Sequence, residues 1–111
     1  MAVSLSSSRI LRKLPREKAF YFFTSIGNYT GENASSLEAF LDKIEEVDVK
    51  SLEFHLYRGD FERWIAGTLG DEELAGKIQD LRAMKQVGDV LRDQLCFIVS
   101  KHFNKLKESS T

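Results

Sequence analysis

Apolar side chains recur at spacings of three and four along most of the chain, and residues that start or stop helices bound each run. Ala19, Phe20, Phe22, Phe23 and Ile26 form one wide apolar face after Pro15, which suits a first helical position. This predicts a helix from about Arg16 to Ser25. Phe20 to Thr24 is also short and aromatic-rich enough for a strand. Gly27 stops the element, and Gly27-Asn28-Tyr29-Thr30-Gly31-Glu32-Asn33 reads as the one long loop. Ser35 with Glu38 makes a capping box ahead of Leu37, Phe40, Leu41 and Ile44, placing a helix over about Ser36 to Glu46. Asp48 caps the next, in which Val49, Leu52 and Leu56 point inward, with Phe54 a further candidate, and which ends near Arg58 at Gly59. Asp60 restarts the chain as an N-cap; Phe61, Trp64, Ile65 and Leu69 follow, and Gly70 closes that helix. Asp71 then caps another over Glu72 to about Met84. Val87, Val90 or Leu91, Gln94 or Leu95, Ile98, Phe103 and Leu106 carry the longest helix, from about Gln86 to Lys105, with a bend expected between Ala83 and Asp89 where Gly88 weakens it.

Short amphipathic helices without a committed strand predict an all-α fold, a compact bundle of about five to six short helices with a long C-terminal one. Residues 1–14 are expected to be a partly mobile basic segment, 15–107 a single helical domain and 108–111 a disordered tail.

Composition narrows the function classes. With 111 residues, 42% of them hydrophobic, the chain can bury a core without staples, which excludes disorder and a disulfide scaffold. One cysteine allows neither an internal disulfide nor a cysteine-paired zinc site, and two distant histidines give no ligand spacing, so no metal and no cofactor is expected. No apolar run reaches the ~20 residues of a membrane span, and Met1 to Ser8 lacks the charged start and apolar stretch of a secretion signal. The expected setting is cytoplasmic, away from membranes. The sequons at Asn28 and Asn33 then read as turn chemistry, and Arg58-Gly59-Asp60 is not read as an adhesion tripeptide.

Charge is uneven. Residues 1–18 carry five basic groups against one acid and residues 101–111 three against one; with a total of −1 the middle is −7. Basic ends on an acidic body either lie against that body or steer an anionic partner, and a pI near 6.1 argues for the first.

The densest chemistry lies in Phe54-His55-Leu56-Tyr57-Arg58-Gly59-Asp60-Phe61-Glu62-Arg63-Trp64-Ile65. An imidazole exchanges a proton near neutral pH and a guanidinium grips a carboxylate or phosphate, so His55, Arg58, Asp60 and Arg63 form a candidate ligand or anion site. The plainer reading makes the aromatics core, Asp60 a cap and the arginines surface ion pairs. No catalytic residue is assigned. Cys96, inside Leu95-Cys96-Phe97-Ile98-Val99, reads as a buried thiol of ordinary or raised pKa, and His102 as an exposed helix-end residue beside Lys101 and Lys105. Tyr29, between two glycines, either folds back or faces a partner.

The pattern Phe20-Tyr21-Phe22-Phe23-Thr24, Gly27, Tyr29 to Ala34, Ser36-Leu37, then Ser51 to His55, Arg58-Gly59-Asp60-Phe61, Trp64-Ile65 and Leu69-Gly70-Asp71 resembles a small, mostly archaeal family of uncharacterised proteins. The resemblance spans about residues 19–82 and implies a compact domain of unknown function, with no activity, cofactor or site residue to carry over.

Three functions remain. The first is a non-enzymatic protein–protein interaction or regulatory module, a homodimer or a partner of another protein, using Tyr29, Leu91, Leu95 and Ile98. The second binds nucleic acid or another anionic partner through Arg9, Arg12, Lys13 and Arg16, assisted by Lys101, Lys105 and Lys107. The third is a small-ligand binder or enzyme centred on His55, Arg58, Asp60 and Arg63.

Overall fold

The computed structural model describes residues 7–110, and in it the Phe-Tyr-Phe-Phe run is the first strand of a hairpin rather than a helix. Pro15 leads only into a short 3₁₀ turn, Arg16–Lys18, and strand β1 follows over Phe20–Ser25. Burial along β1 has the period of a strand: Phe20 and Phe22 are buried, while Tyr21 and Phe23 are only partly so. Ile26 and Gly27 make the turn, Gly27 supplying φ +80°, and β2 returns over Asn28–Ala34. The residues expected to form a loop are therefore this second strand.

The pairing is antiparallel, with Phe20 opposite Ala34 and Phe23 opposite Tyr29, and it is irregular between Tyr21 and Phe23. There Gly31 adopts φ +88°, and the Thr30 hydroxyl donates to the Phe22 carbonyl (2.7 Å) and accepts from the Glu32 N–H (3.1 Å).

The helical boundaries follow local chemistry closely. Helix α1 spans Leu37–Glu46, capped by Ser36, whose side chain accepts from the Ala39 N–H; the cap lies one residue after the expected Ser35. Helix α2 spans Val49–Arg58, with Asp48 accepting from the Lys50 N–H, and ends at Gly59 with φ +79°. Helix α3, Asp60–Trp64, runs into a π-helical turn, Ile65–Leu69, closed by Gly70 at φ +82°. Helix α4 is Glu72–Ala83, capped by Asp71. A non-helical connection containing Lys85 at φ 57° separates it from α5, Gly88–Ser110.

The fold is thus α+β, not all-α: β1 packs on α2, β2 on α1, and α5 on α1, α2 and α4. What overturns the bundle is the hairpin, whose two inward phenylalanines enter the centre of the core. The ring of Phe20 lies 4.9 Å from Phe22, 5.1 Å from Phe61 and 5.5 Å from Trp64, and Phe40 lies 5.2 Å from Phe61. Trp64 also donates its indole N–H to the Lys18 carbonyl at 2.9 Å, tying α3 to the chain just before β1.

Ile10 and Leu14 are buried in the same core, and the Leu14 N–H donates to the Ser35 carbonyl. Of the segments expected to be mobile, residues 1–6 and Thr111 lie outside the described residues. No helix among the described residues is long and apolar enough to cross a membrane.

Candidate functional site

The segment from His55 to Arg63 folds so that Asp60 gathers the other three candidate residues. Gly59 makes this local turn: its positive φ ends α2 and reverses the chain directly into α3, bringing Asp60 back toward the last turn of α2. Asp60 does not cap α3, contrary to the sequence expectation; both carboxylate oxygens are engaged elsewhere. Oδ2 lies 2.8 Å from His55 Nδ1 and 3.1 Å from Arg58 Nε, and Oδ1 accepts from Arg63 Nη2.

The tautomer of His55 follows from its other nitrogen. The Phe23 backbone N–H donates to Nε2 at 2.8 Å, and since an amide can only donate there, Nε2 is the acceptor and Nδ1 carries the proton given to Asp60. Burial holds this imidazole below the ordinary histidine range, outweighing the pull of Asp60 toward the protonated form. A histidine with both nitrogens bonded and a depressed proton affinity has no lone pair to offer a substrate. It locks strand β1 to α2 and α3.

Beside this lock lies an open cleft of about 330 Å³ between the hairpin and α2. Phe23 and Ile26 contribute from the hairpin and Phe54 from α2, with the buried Phe20 and His55 also on its lining. Arg58 borders it, with its guanidinium 4.8 Å from the centre of the Phe54 ring.

A second cluster escaped the sequence reading. His102 is buried rather than exposed, and its Nε2 lies 2.6 Å from Asp71 Oδ2, while Asp71 Oδ1 accepts from the Leu74 N–H at 3.0 Å. Lys77 Nζ approaches His102 Nδ1 at 3.4 Å, and Glu73 bridges Lys77 and Lys105. Burial pushes the Asp71 carboxyl up, but bonds from His102 and Leu74 prevail and hold it below its usual range. The signal was present in the spacing: Leu91, Leu95, Val99, His102 and Leu106 make one inward stripe of α5, on which His102 replaces an apolar residue. Buried and bonded to one another, His102 and Asp71 act as a clamp between α4 and α5.

The same stripe corrects the expected interaction surface. Leu91 and Leu95 are fully buried and belong to the core, because they face α1, α2 and α4; Ile98 is partly buried against it. Tyr29 is exposed on β2, its ring 5.8 Å from Tyr21 and 5.4 Å from Phe23. The outward face of α5 instead carries Val90 and Phe97, 56% and 61% exposed, and Met84 and Val87 are similarly open in the preceding connection.

The basic ends are largely engaged. Arg12 donates to the Thr68 carbonyl of the π-helical turn at 3.0 Å, Lys105 pairs with Glu73 at 2.7 Å, and Lys101 and Lys107 lie over the rings of Phe97 and Phe103. Arg9, Lys13 and Arg16 are exposed. Burial pushes the Cys96 thiol up, which disfavours the nucleophilic thiolate. Among the described residues no group of three or more His, Cys, Asp or Glu side chains is placed to hold a metal ion.

No curated protein and no solved structure matches the chain. A family model described as a family of unknown function, DUF5752, matches residues 17–111, taking in the hairpin, the His55–Asp60 lock and the Asp71–His102 clamp, and the chain belongs to that family.

Proposed function

We propose that this protein is a non-enzymatic interaction module that self-associates through the outward face of α5, in a reducing, cytoplasmic setting. The observation that carries the reading is the row Val90, Asp93, Phe97, Lys101 on that face: Phe97, more than half exposed, stands between opposite charges, with the equally open Val90 beyond Asp93. Two copies of α5 packed antiparallel about a two-fold axis at Phe97 set Phe97 against itself and Asp93 against Lys101 of the second copy. One interface then closes with both charge pairs satisfied. Spent histidines support the non-enzymatic part: neither imidazole has a nitrogen left for proton transfer.

Sedimentation velocity over a concentration series tests this. The expected result is a monomer–dimer equilibrium that F97D abolishes without altering the circular dichroism spectrum. D93K sets like charges opposite Lys101 and weakens the dimer about tenfold, two exposed pairs at up to ~1 kcal/mol each; D93K combined with K101D restores it. A wild-type chain that stays monomeric at about 1 mM, beyond the range of specific dimers, overturns the reading.

A further inference from the structure

The cleft between the hairpin and α2 is independent of the α5 face, and its chemistry selects a ligand. Its apolar walls are the rings of Phe23 and Phe54 and the side chain of Ile26, which is 83% exposed at the hairpin tip. An isoleucine that open, next to two aromatic rings, is surface that water covers poorly and a flat apolar body would cover well.

The polar groups at the cleft are unequally occupied. Asp60 has spent both oxygens on His55, Arg58 and Arg63, and His55 has spent both nitrogens. Arg58 gives only Nε to Asp60; Nη1 and Nη2 take no part in that bond, and the side chain is 47% exposed. Among the charged groups at the cleft the remaining capacity is therefore that of a donor, a guanidinium edge suited to a carboxylate. With His55 neutral, Arg58 and Arg63 against Asp60 leave one net positive charge, which a monoanion balances. A volume of about 330 Å³ lies at the small end of ligand clefts, which run from ~300 to ~1,000 Å³, and suits a one-ring acid.

We propose that this cleft binds a small aromatic carboxylic acid, its ring between Phe23, Ile26 and Phe54 and its carboxylate on the terminal amines of Arg58. Nothing in the self-association reading requires this site, and the two succeed or fail separately.

Phenylacetate titrated into the 15N-labelled full chain, followed by heteronuclear NMR, is the direct probe. The expected result is saturable shifts at the amides of Phe23, Ile26 and Phe54 with a dissociation constant of about 1 mM, ordinary for a ligand of ~10 heavy atoms. Phenylacetamide, neutral and of the same shape, binds at least about tenfold more weakly, as does phenylacetate to R58Q. Ile26 is so exposed that I26S leaves the spectrum of the folded protein otherwise intact while weakening binding, which separates loss of the site from loss of the fold. No shifts at about twenty times that concentration, equal binding of the amide, or unchanged binding by R58Q each overturn the proposal.

Discussion

At His55 one imidazole joins three segments of chain: it sits on α2, accepts from β1 at Phe23 and donates to Asp60 at the start of α3. Such a residue is expected to show its importance in stability rather than in turnover. H55A leaves the Phe23 N–H without its acceptor and Asp60 without its buried donor, and should cost roughly 2–6 kcal/mol in urea denaturation, at ~1–3 kcal/mol for each abandoned group. H55Q can still accept from Phe23 and H55N can still donate to Asp60, so each should lose about half as much. The folded chain takes up a proton at His55 less readily than the unfolded chain, because burial depresses its proton affinity. The unfolded state therefore binds more protons below ~6.5, and the His55 contribution, complete above that pH, declines as pH falls through it. Wild type should lose stability between about pH 7.5 and 5.5 more steeply than H55Q. Parallel slopes in the two proteins would show that the imidazole is not held neutral.

Among the elements, the joint between α4 and α5 rests on Asp71, which caps one helix and grips a histidine of the other. D71A removes the cap and strands His102 Nε2 in the core; the combined cost should be about 2–4 kcal/mol, from ~1 for a cap and ~1–3 for the orphaned donor. D71N keeps an oxygen for the Leu74 N–H but turns a donor amide toward His102 Nε2, so it keeps the cap, loses the grip on His102, and should fall between wild type and D71A in chemical denaturation. Equal losses in the two variants would place the whole effect in the grip on His102. Because the folded carboxyl is held low, its contribution is complete above the ordinary carboxylate range and is lost as pH falls below it.

The helices were legible because their signals are local: Asp48 and Asp71 as caps, Gly59 and Gly70 as left-handed stops, and apolar spacing within one turn. The hairpin was not. Its turn pair Ile26-Gly27 lacks the Asn-Gly signature, β2 buries only Ala34, and four aromatics in succession satisfy either period; what decides for the strand is pairing between Phe20 and Ala34, fourteen positions apart. The candidate cluster around Asp60 was legible as composition, since its four members lie within nine residues of one another. The Phe23 amide that closes His55, and the cleft beside it, come from that same hairpin and so could not be read before it was.

For the whole molecule, the hairpin changes what the N-terminal segment is for. Residues 10–14 carry exposed charge but also Ile10 and Leu14 in the core, the Leu14 bond to Ser35 ahead of α1, and the Arg12 bond to Thr68 in the π-helical turn, where a widened helix leaves a carbonyl to be satisfied. Deleting residues 1–14 would thus remove core as well as charge, and a loss of anionic-partner binding in such a truncation would not tell one from the other. Single substitutions separate the two roles. L14A should cost about 2–5 kcal/mol, the range for a fully buried leucine, and R12Q about 1–2 kcal/mol for a lost charged hydrogen bond. R9Q and K13Q, on exposed side chains, should stay within about 0.5 kcal/mol of wild type. Equilibrium urea unfolding of the four variants decides the matter: if L14A and R12Q unfold with the wild-type midpoint, the segment is an appendage after all, and its basic residues return as the surface on which an anionic partner should be sought.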